Sequence, residues 1–199
     1  MICAVVLAAG LSSRMGVQKL LLPFGGKTVI GHIIDQLLAS IIGDVHVVVG
    51  HQAGRISAEL SGKAVSIVKN PNYKSGMLSS IRCGFKNLPD KCKAVMVVLG
   101  DQPSITTELI DQMLQSFAAA EKGILVPLYK GKRGHPIIFS RLYRDEIMTH
   151  YADVGLRGLL HNHPDEVFEL TVSTASVLCD MDFPEEYRRE LGLNEQTME

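Results

Sequence analysis

The sequence predicts an α/β fold, a three-layer α/β/α sandwich around a mostly parallel sheet, and three observations carry the prediction. Residues 2–7, Ile-Cys-Ala-Val-Val-Leu, are apolar and rich in β-branched side chains, without the polar alternation of a half-exposed strand. Strand-like and helix-like segments then alternate at βαβ spacing through the first 130 residues. The first strand also ends in Ala8-Ala9-Gly10, and the carboxyl end of a parallel strand is where open α/β sheets bind their ligands.

The elements follow in order. After the glycine loop, residues 20–26 are too short and broken for a helix. Thr28 is a candidate N-cap for an amphipathic helix to about Ser40, with Ile30, Ile33, Ile34, Leu37 and Leu38 on one face. Val45 to Val49 is the second strand, Arg55 to Leu60 a short polar helix, and Val65 to Val68 the third strand. Residues 70–76, Asn-Pro-Asn-Tyr-Lys-Ser-Gly, are turn chemistry throughout, and helical spacing resumes from Met77 to about Phe85. Ala94 to Leu99 is the fourth strand and runs into Gly100-Asp101-Gln102-Pro103. Thr106 or Thr107 caps the next helix. Ile124 to Leu128 and Pro136 to Phe139 are strand-like around a turn at residues 130–134. Helical stretches near 142–150 and 155–161, a strand at 167–172 and a short C-terminal helix complete the chain. No repeat, low-complexity segment or linker divides it, so residues 1–199 are expected to form a single domain.

Composition narrows the function. Hydrophobic residues make up 46% and charged residues 21%, an ordinary globular balance. A net charge of −1 provides no basic field for nucleic acid. No apolar run reaches the roughly 18 residues that span a bilayer, so no membrane partner is expected. The N-terminal run reads as a core strand rather than a signal peptide. The four cysteines, Cys3, Cys83, Cys92 and Cys179, show neither C-x-x-C nor zinc spacing, and are expected to be reduced in a cytoplasmic protein, Cys3 as a buried thiol.

The loop after the first strand carries Ser12, Ser13, Arg14 and Lys19 around Gly16. Hydroxyls, backbone N–H groups, an arginine fork and a lysine point charge suit a nucleoside triphosphate; an ordinary Gly/Ser turn is the plain alternative. It is not a Walker A loop, because Leu21 stands where Gly26-Lys27-Thr28 would need its glycine. Nor is it a dinucleotide fingerprint, because Ser12 and Met15 occupy that motif's second and third glycine positions. Asp101, just past a strand, is the leading Mg²⁺ ligand, with Asp180 or Asp182 as a second carboxylate. Each also reads as a cap or turn former. His135 is either a donor to substrate or a satisfied loop histidine. Lys130, Lys132 and Arg133 are either a phosphate contact or a solvated hairpin tip. His161 and His163 read as a solvated helix end, and the other histidines carry no signal.

Residues 7–16, Leu-Ala-Ala-Gly-Leu-Ser-Ser-Arg-Met-Gly, followed by Lys19, resemble the L-A-A-G-x-S-x-R-M-G-x-x-K signature of the nucleotidyltransferases of molybdenum cofactor biosynthesis. Residues 70–77, Gly100-Asp101-Gln102-Pro103, Gly134-His135-Pro136 and Asp180-x-Asp182-x-Pro184 are similar to that family's later landmarks, in the same order. The resemblance covers residues 2 to about 187, and the G-D-Q-P/G-H-P pair looks most like the cytidylyltransferase branch. It implies a Rossmann-like nucleotidyltransferase fold and Mg²⁺-dependent transfer of CMP from CTP, or of another nucleoside monophosphate from its NTP. The implied acceptor is the terminal phosphate of a molybdopterin-type cofactor, with a molybdenum hydroxylase as a further partner for the product. Leu7, Ala8, Ala9, Gly10, Ser12, Ser13, Arg14, Lys19, Gly76 and Ser80 are implied at the nucleotide, and Gly134, His135 and Pro136 at the acceptor. Asp101 and Asp182, with Asp180 as alternate, are implied at the metal; Arg14, Lys19 and Asp101 are the expected catalytic groups. One departure stands out: Met181 and Phe183 replace Ile and Thr of the family's D-I-D-T-P. The same chemistry on a sugar phosphate, or a non-catalytic nucleotide- or cofactor-binding chaperone, are the alternatives.

Overall fold

The computed structural model describes residues 1–197. Strand β1 (Ile2–Ala8) leads through the glycine loop into a 3-10 turn at Lys19–Leu21 and a small hairpin, β2 (Pro23–Phe24) with β3 (Lys27–Thr28). Helix α1 (Val29–Ala39) starts where Thr28 Oγ1 accepts from the Gly31 amide at 3.1 Å. There follow β4 (Val45–Val49), α2 (Ala53–Glu59), β5 (Ser66–Lys69), α3 (Met77–Lys86), β6 (Ala94–Leu99) and α4 (Thr107–Ala119). Of the two candidate caps for α4, Thr106 is the one used. Then come β7 (Ile124–Tyr129), β8 (Lys132–Arg133), β9 (Ile137–Ser140), α5 (Arg144–Thr149), α6 (Leu156–Asn162), β10 (Val167–Thr171) and α7 (Pro184–Thr197). No helix among the described residues is long and apolar enough to cross a membrane.

The main sheet runs β10-β7-β9-β6-β1-β4-β5, with β8 paired on β7. β1 pairs in parallel with β4 and β6, β4 with β5, and β7 with β10; β9 lies antiparallel between β6 and β7. Alternate side chains of β1 enter different cores. Ala4, Val6 and Ala8 join α1, α2 and α4 on one face, while Cys3 and Val5 join α3, α5 and α6 on the other. Double burial explains the unbroken apolar run in the sequence. From β1 the chain steps outward to β4 and β5, then returns to add β6 on the other side of β1. That reversal opens a crevice at the carboxyl ends of β1 and β6.

Two expectations are corrected. Cys3 and Cys92 form a disulfide across 89 residues of sequence, and only Cys83 and Cys179 remain as thiols. The pairing depends on β1 and β6 being neighbours: Cys3 is in register with Val95, three residues past Cys92. His163 is not a simply solvated helix end, since its Nε2 meets the Glu146 carboxylate at 2.9 Å.

Candidate active site

A cavity of about 470 Å³ lies in this crevice. Leu7, Ala9, Gly10, Ser12, Ser13, Arg14 and Lys19 reach it from the β1 side, and Leu99 and Asp101 from β6. Ala8 does not line it, because strand alternation turns that side chain into the core below. Gly100, buried beside Asp101, allows the close approach of β1 and β6: a Cβ there would stand 2.7 Å from the Leu7 carbonyl oxygen.

The loop is held by its own side chains. Ser12 adopts a left-handed backbone (φ 52°), unusual for serine, and its hydroxyl donates to Gln18 Oε1 at 2.8 Å while accepting from the Lys19 amide at 3.3 Å. Gln18 is itself buried, so the loop rests on a fixed polar pin. This pin aims Lys19 inward; its side chain is only 12% exposed.

The second carboxylate arrives from 80 residues further along. The Met181 amide donates to the Asp101 carbonyl at 3.2 Å, and the Met181 side chain is fully buried. Glu186 Oε2 accepts from the amides of Asp182 and Phe183 at 2.7 and 2.9 Å, the reach-back bond of a capping box at the start of α7. Tyr187 donates to the Pro23 carbonyl at 2.7 Å, tying α7 to the small hairpin. These contacts place Asp180 and Asp182 on the cavity wall.

Lys19 Nζ bridges the two distant acids, pairing with Asp101 and, at 2.9 Å, with Asp182 Oδ1; Arg14 pairs with the other oxygen of Asp182. The Phe183 ring lies 5.6 Å from the Arg14 guanidinium, a cation–π contact. Burial pulls the Lys19 ammonium down, but Asp101 and Asp182 outweigh it and hold it above its ordinary range. The Lys19 hydrogen bond holds the Asp182 carboxyl below its usual value. Asp180 is pushed up, first by burial and then by the negative charge of Asp101.

The acids fit a divalent cation. Asp101 and Asp182 already converge on one positive point, and the crowding of Asp180 against Asp101 is of the kind a cation relieves. The three do not close into a cage in which one oxygen from each lies within 4.8 Å of the others. Mg²⁺ does not need one, being held by one or two carboxylates plus phosphate and water.

The far wall comes from the turn before α3. Asn70 is buried, donating to Ser79 and Ser80 hydroxyls at 2.9 and 3.1 Å and accepting from the Asn72 amide at 2.9 Å. This presents Gly76 and Ser80 to the cavity, together with Tyr73, Lys74 and Met77, which sequence reasoning did not single out. The turn-rich run 70–76 marked a loop here but not which of its side chains would face the cavity. Gly76 takes φ 91° as the N-cap and offers no side-chain cap to the amides of the first turn, of which that of Ser79 donates to the Gly76 carbonyl at 3.2 Å.

Gly134, His135 and Pro136 lie outside the cavity lining. Gly134 packs against the Val177 backbone, where a Cβ would overlap the carbonyl oxygen, and the His135 amide donates to that same oxygen at 2.9 Å. The His135–Pro136 peptide is cis. Burial lowers the His135 pKa, with the Asp101 charge opposing. The basic turn is partly spoken for: Arg133 pairs with Glu169 at 2.7 Å, and Lys130 lies over the Tyr129 ring.

Comparison with known proteins agrees with this architecture. The molybdenum cofactor cytidylyltransferase of Escherichia coli K12 is 25% identical over 186 residues, spanning 92% of each chain. The nicotine blue oxidoreductase of Paenarthrobacter nicotinovorans is 29% identical over 94% of this chain and 95% of its own. A Mycobacterium tuberculosis H37Rv protein solved in complex with manganese superposes with a TM-score of 0.82 at 28% identity, covering 96% of this chain and 98% of that one. Residues 4–167 match the MobA-like NTP transferase domain, and the chain belongs to that family.

Proposed function

We propose that this nucleotidyltransferase, a single domain over residues 1–199, moves CMP from CTP onto the terminal phosphate of a molybdopterin-type cofactor and releases pyrophosphate. The observation that carries the reading is the Lys19 ammonium set between Asp101 and Asp182 on the wall of a cavity bordered by the glycine loop. Its volume lies within the usual range for small-molecule sites. The reaction is an in-line displacement: an acceptor phosphate oxygen bonds to the α-phosphorus as the α–β bridging P–O bond breaks. That nucleophile is ionised at pH 7, so positioning and charge neutralisation carry the catalysis. Mg²⁺ held by Asp101 and Asp182, with Asp180 as alternate, would neutralise phosphate charge when bound. Lys19 stabilises charge at the α-phosphate and Arg14 meets the β- and γ-phosphates. Ala9 and Gly10 leave room for the base, and Gly76, Ser80 and the amides opening α3 face the nucleotide. His135 stands toward the acceptor side. The proposed setting is the cytoplasm, with a molybdenum hydroxylase receiving the product.

The test is pyrophosphate release by the purified chain with Mg²⁺ or Mn²⁺, each NTP in turn, and molybdopterin or a sugar 1-phosphate as acceptor. Release with CTP that depends on molybdopterin supports the reading; release with the sugar phosphate alone transfers the chemistry to another acceptor. The 29% identity to the nicotine blue oxidoreductase favours a second reading, an oxidoreductase using this cavity. That reading predicts no pyrophosphate with any acceptor and no thermal stabilisation by NTPs.

A further inference from the structure

At the opposite edge of the sheet, before β4 and β6 and at the start of β1, a second set of reactive side chains converges. Cys3 lies at the head of β1, Cys92 just before β6, and Asp44 just before β4, where its carbonyl accepts from the Ala4 amide at 2.9 Å. Among the described residues, these are the one His/Cys/Asp/Glu trio whose ligand atoms all lie within 4.8 Å of one another. Both sulfurs are fully buried, whereas the Asp44 side chain is 39% exposed and opens the group to solvent. His46 follows two residues along, on the same face as Asp44 by strand alternation, and in register with Val5. It is 5% exposed, its ring nitrogens lie outside that 4.8 Å trio, and neither has a hydrogen-bond partner among the described residues. A buried imidazole with both nitrogens unmatched is costly unless something else engages it.

We propose that the reduced Cys3–Cys92 pair is a Zn²⁺ site, with the two thiolates and the Asp44 carboxylate as ligands and the unpartnered His46 imidazole, turned toward them, as the fourth, and that the disulfide is its metal-free state. Two sulfurs, one nitrogen and one oxygen suit a four-coordinate zinc ion. The switch balances with a dithiol reductant. The Sγ–Sγ bond accepts two electrons and two protons as the reductant closes to its own disulfide, and the cation then displaces the two thiol protons. Lys91, which touches Asp44 at 2.9 Å, is 60% exposed and free to swing aside. Disulfide and zinc would each join β1 to β6, the two strands whose far ends carry the glycine loop and Asp101. This site is independent of what the cavity binds.

The test uses the full chain, reduced with a phosphine and freed of it under anaerobic conditions. Zn²⁺ is titrated against a chromophoric chelator, and Co²⁺ serves as a spectroscopic probe. The expected result is one Zn²⁺ per reduced chain, and a Co²⁺ spectrum with tetrahedral d–d bands and thiolate charge transfer. Oxidised protein, Cys92→Ser and His46→Ala should each bind at least about 10-fold more weakly, and Asp44→Asn about 10–100-fold. Binding no tighter than that of a Cys3→Ser/Cys92→Ser double variant overturns the proposal, as does loss of binding in Cys83→Ser/Cys179→Ser. Should the Cys92→Ser chain fail to fold, the wild-type Co²⁺ spectrum decides, because an octahedral spectrum without charge transfer overturns it equally.

Discussion

Replacing Lys19 by alanine separates a catalytic lysine from a structural one, because the two roles differ in magnitude. Hydrogen bonds to charged groups contribute about 1.5–3 kcal/mol each to a fold. The Lys19–Asp101 pair is well covered, at 12% and 18% exposure, but Asp182 is 34% exposed and keeps Arg14 as a partner. Screening at Asp182 and water entering the open cavity reduce the loss to about 1–2 kcal/mol, or roughly 2–8 °C in Tm at this chain length. Loss of a transition-state charge partner lowers turnover about 10²–10³-fold. The assay is kcat for pyrophosphate release well below the variant's Tm, alongside thermal unfolding of the same sample. Lys19→Ala turnover within about threefold of wild type, a barrier change under about 0.7 kcal/mol, refutes the assignment. The stability difference also has a predictable pH profile. Asp182 is held below its ordinary value of 3.8, so its share is present above that value and disappears as pH falls through the depressed one. Lys19 is held above 10.5, so its share is present below that value and disappears as pH climbs through the raised one. Wild type and variant should therefore differ by a constant amount in between and converge at both extremes.

Asp180 has the opposite sign. Its raised pKa means that the ionised carboxylate destabilises the metal-free fold above pH 3.8, an effect relieved as pH falls through the raised value. Asp180→Asn should therefore raise the Tm of metal-free protein slightly at pH 7, by less than about 1 kcal/mol, since the residue as a whole is exposed and water screens a carboxyl desolvated only on its cavity side; an unchanged or lower Tm contradicts this. Gly134→Ala would drive a Cβ into the Val177 carbonyl and should cost about 1–3 kcal/mol in urea unfolding, while a neutral result would mean the segment shifts freely. Phe183→Ala removes the ring beside Arg14, and the proposed phosphate role predicts a higher KM for the NTP with kcat little changed. A fall in kcat alone would place Arg14 elsewhere in the reaction.

Local signals reach surprisingly far in this chain, but not evenly. The double-sided burial of β1 was legible because a strand covered on both faces has no polar positions, and Thr28 and Thr106 were legible because a helix start needs an oxygen for its orphan amides. That the glycine loop would border a crevice was legible because it follows a strand buried on both faces, and its Ser12, Ser13, Arg14 and Lys19 do line the cavity. Lys74 and Tyr73 were harder to see, since a turn-rich segment does not disclose which way its side chains face. Gly134, His135 and Pro136 form a motif that is plain in the sequence, and what the structure adds is where they sit: outside the cavity lining, with Gly134 packed against the Val177 backbone.

By itself the sequence determined the strand–helix order, the loop chemistry and which acids were candidates, because each of these is written in neighbouring residues. Only the tertiary structure decided that Lys19 stands between Asp101 and Asp182, that Met181 docks on the Asp101 carbonyl, and that Cys3 meets Cys92. Those pairings span 80 to 163 residues of chain. They exist because β6 returns to the flank of β1, and strand order is a property of how whole layers pack rather than of any local run.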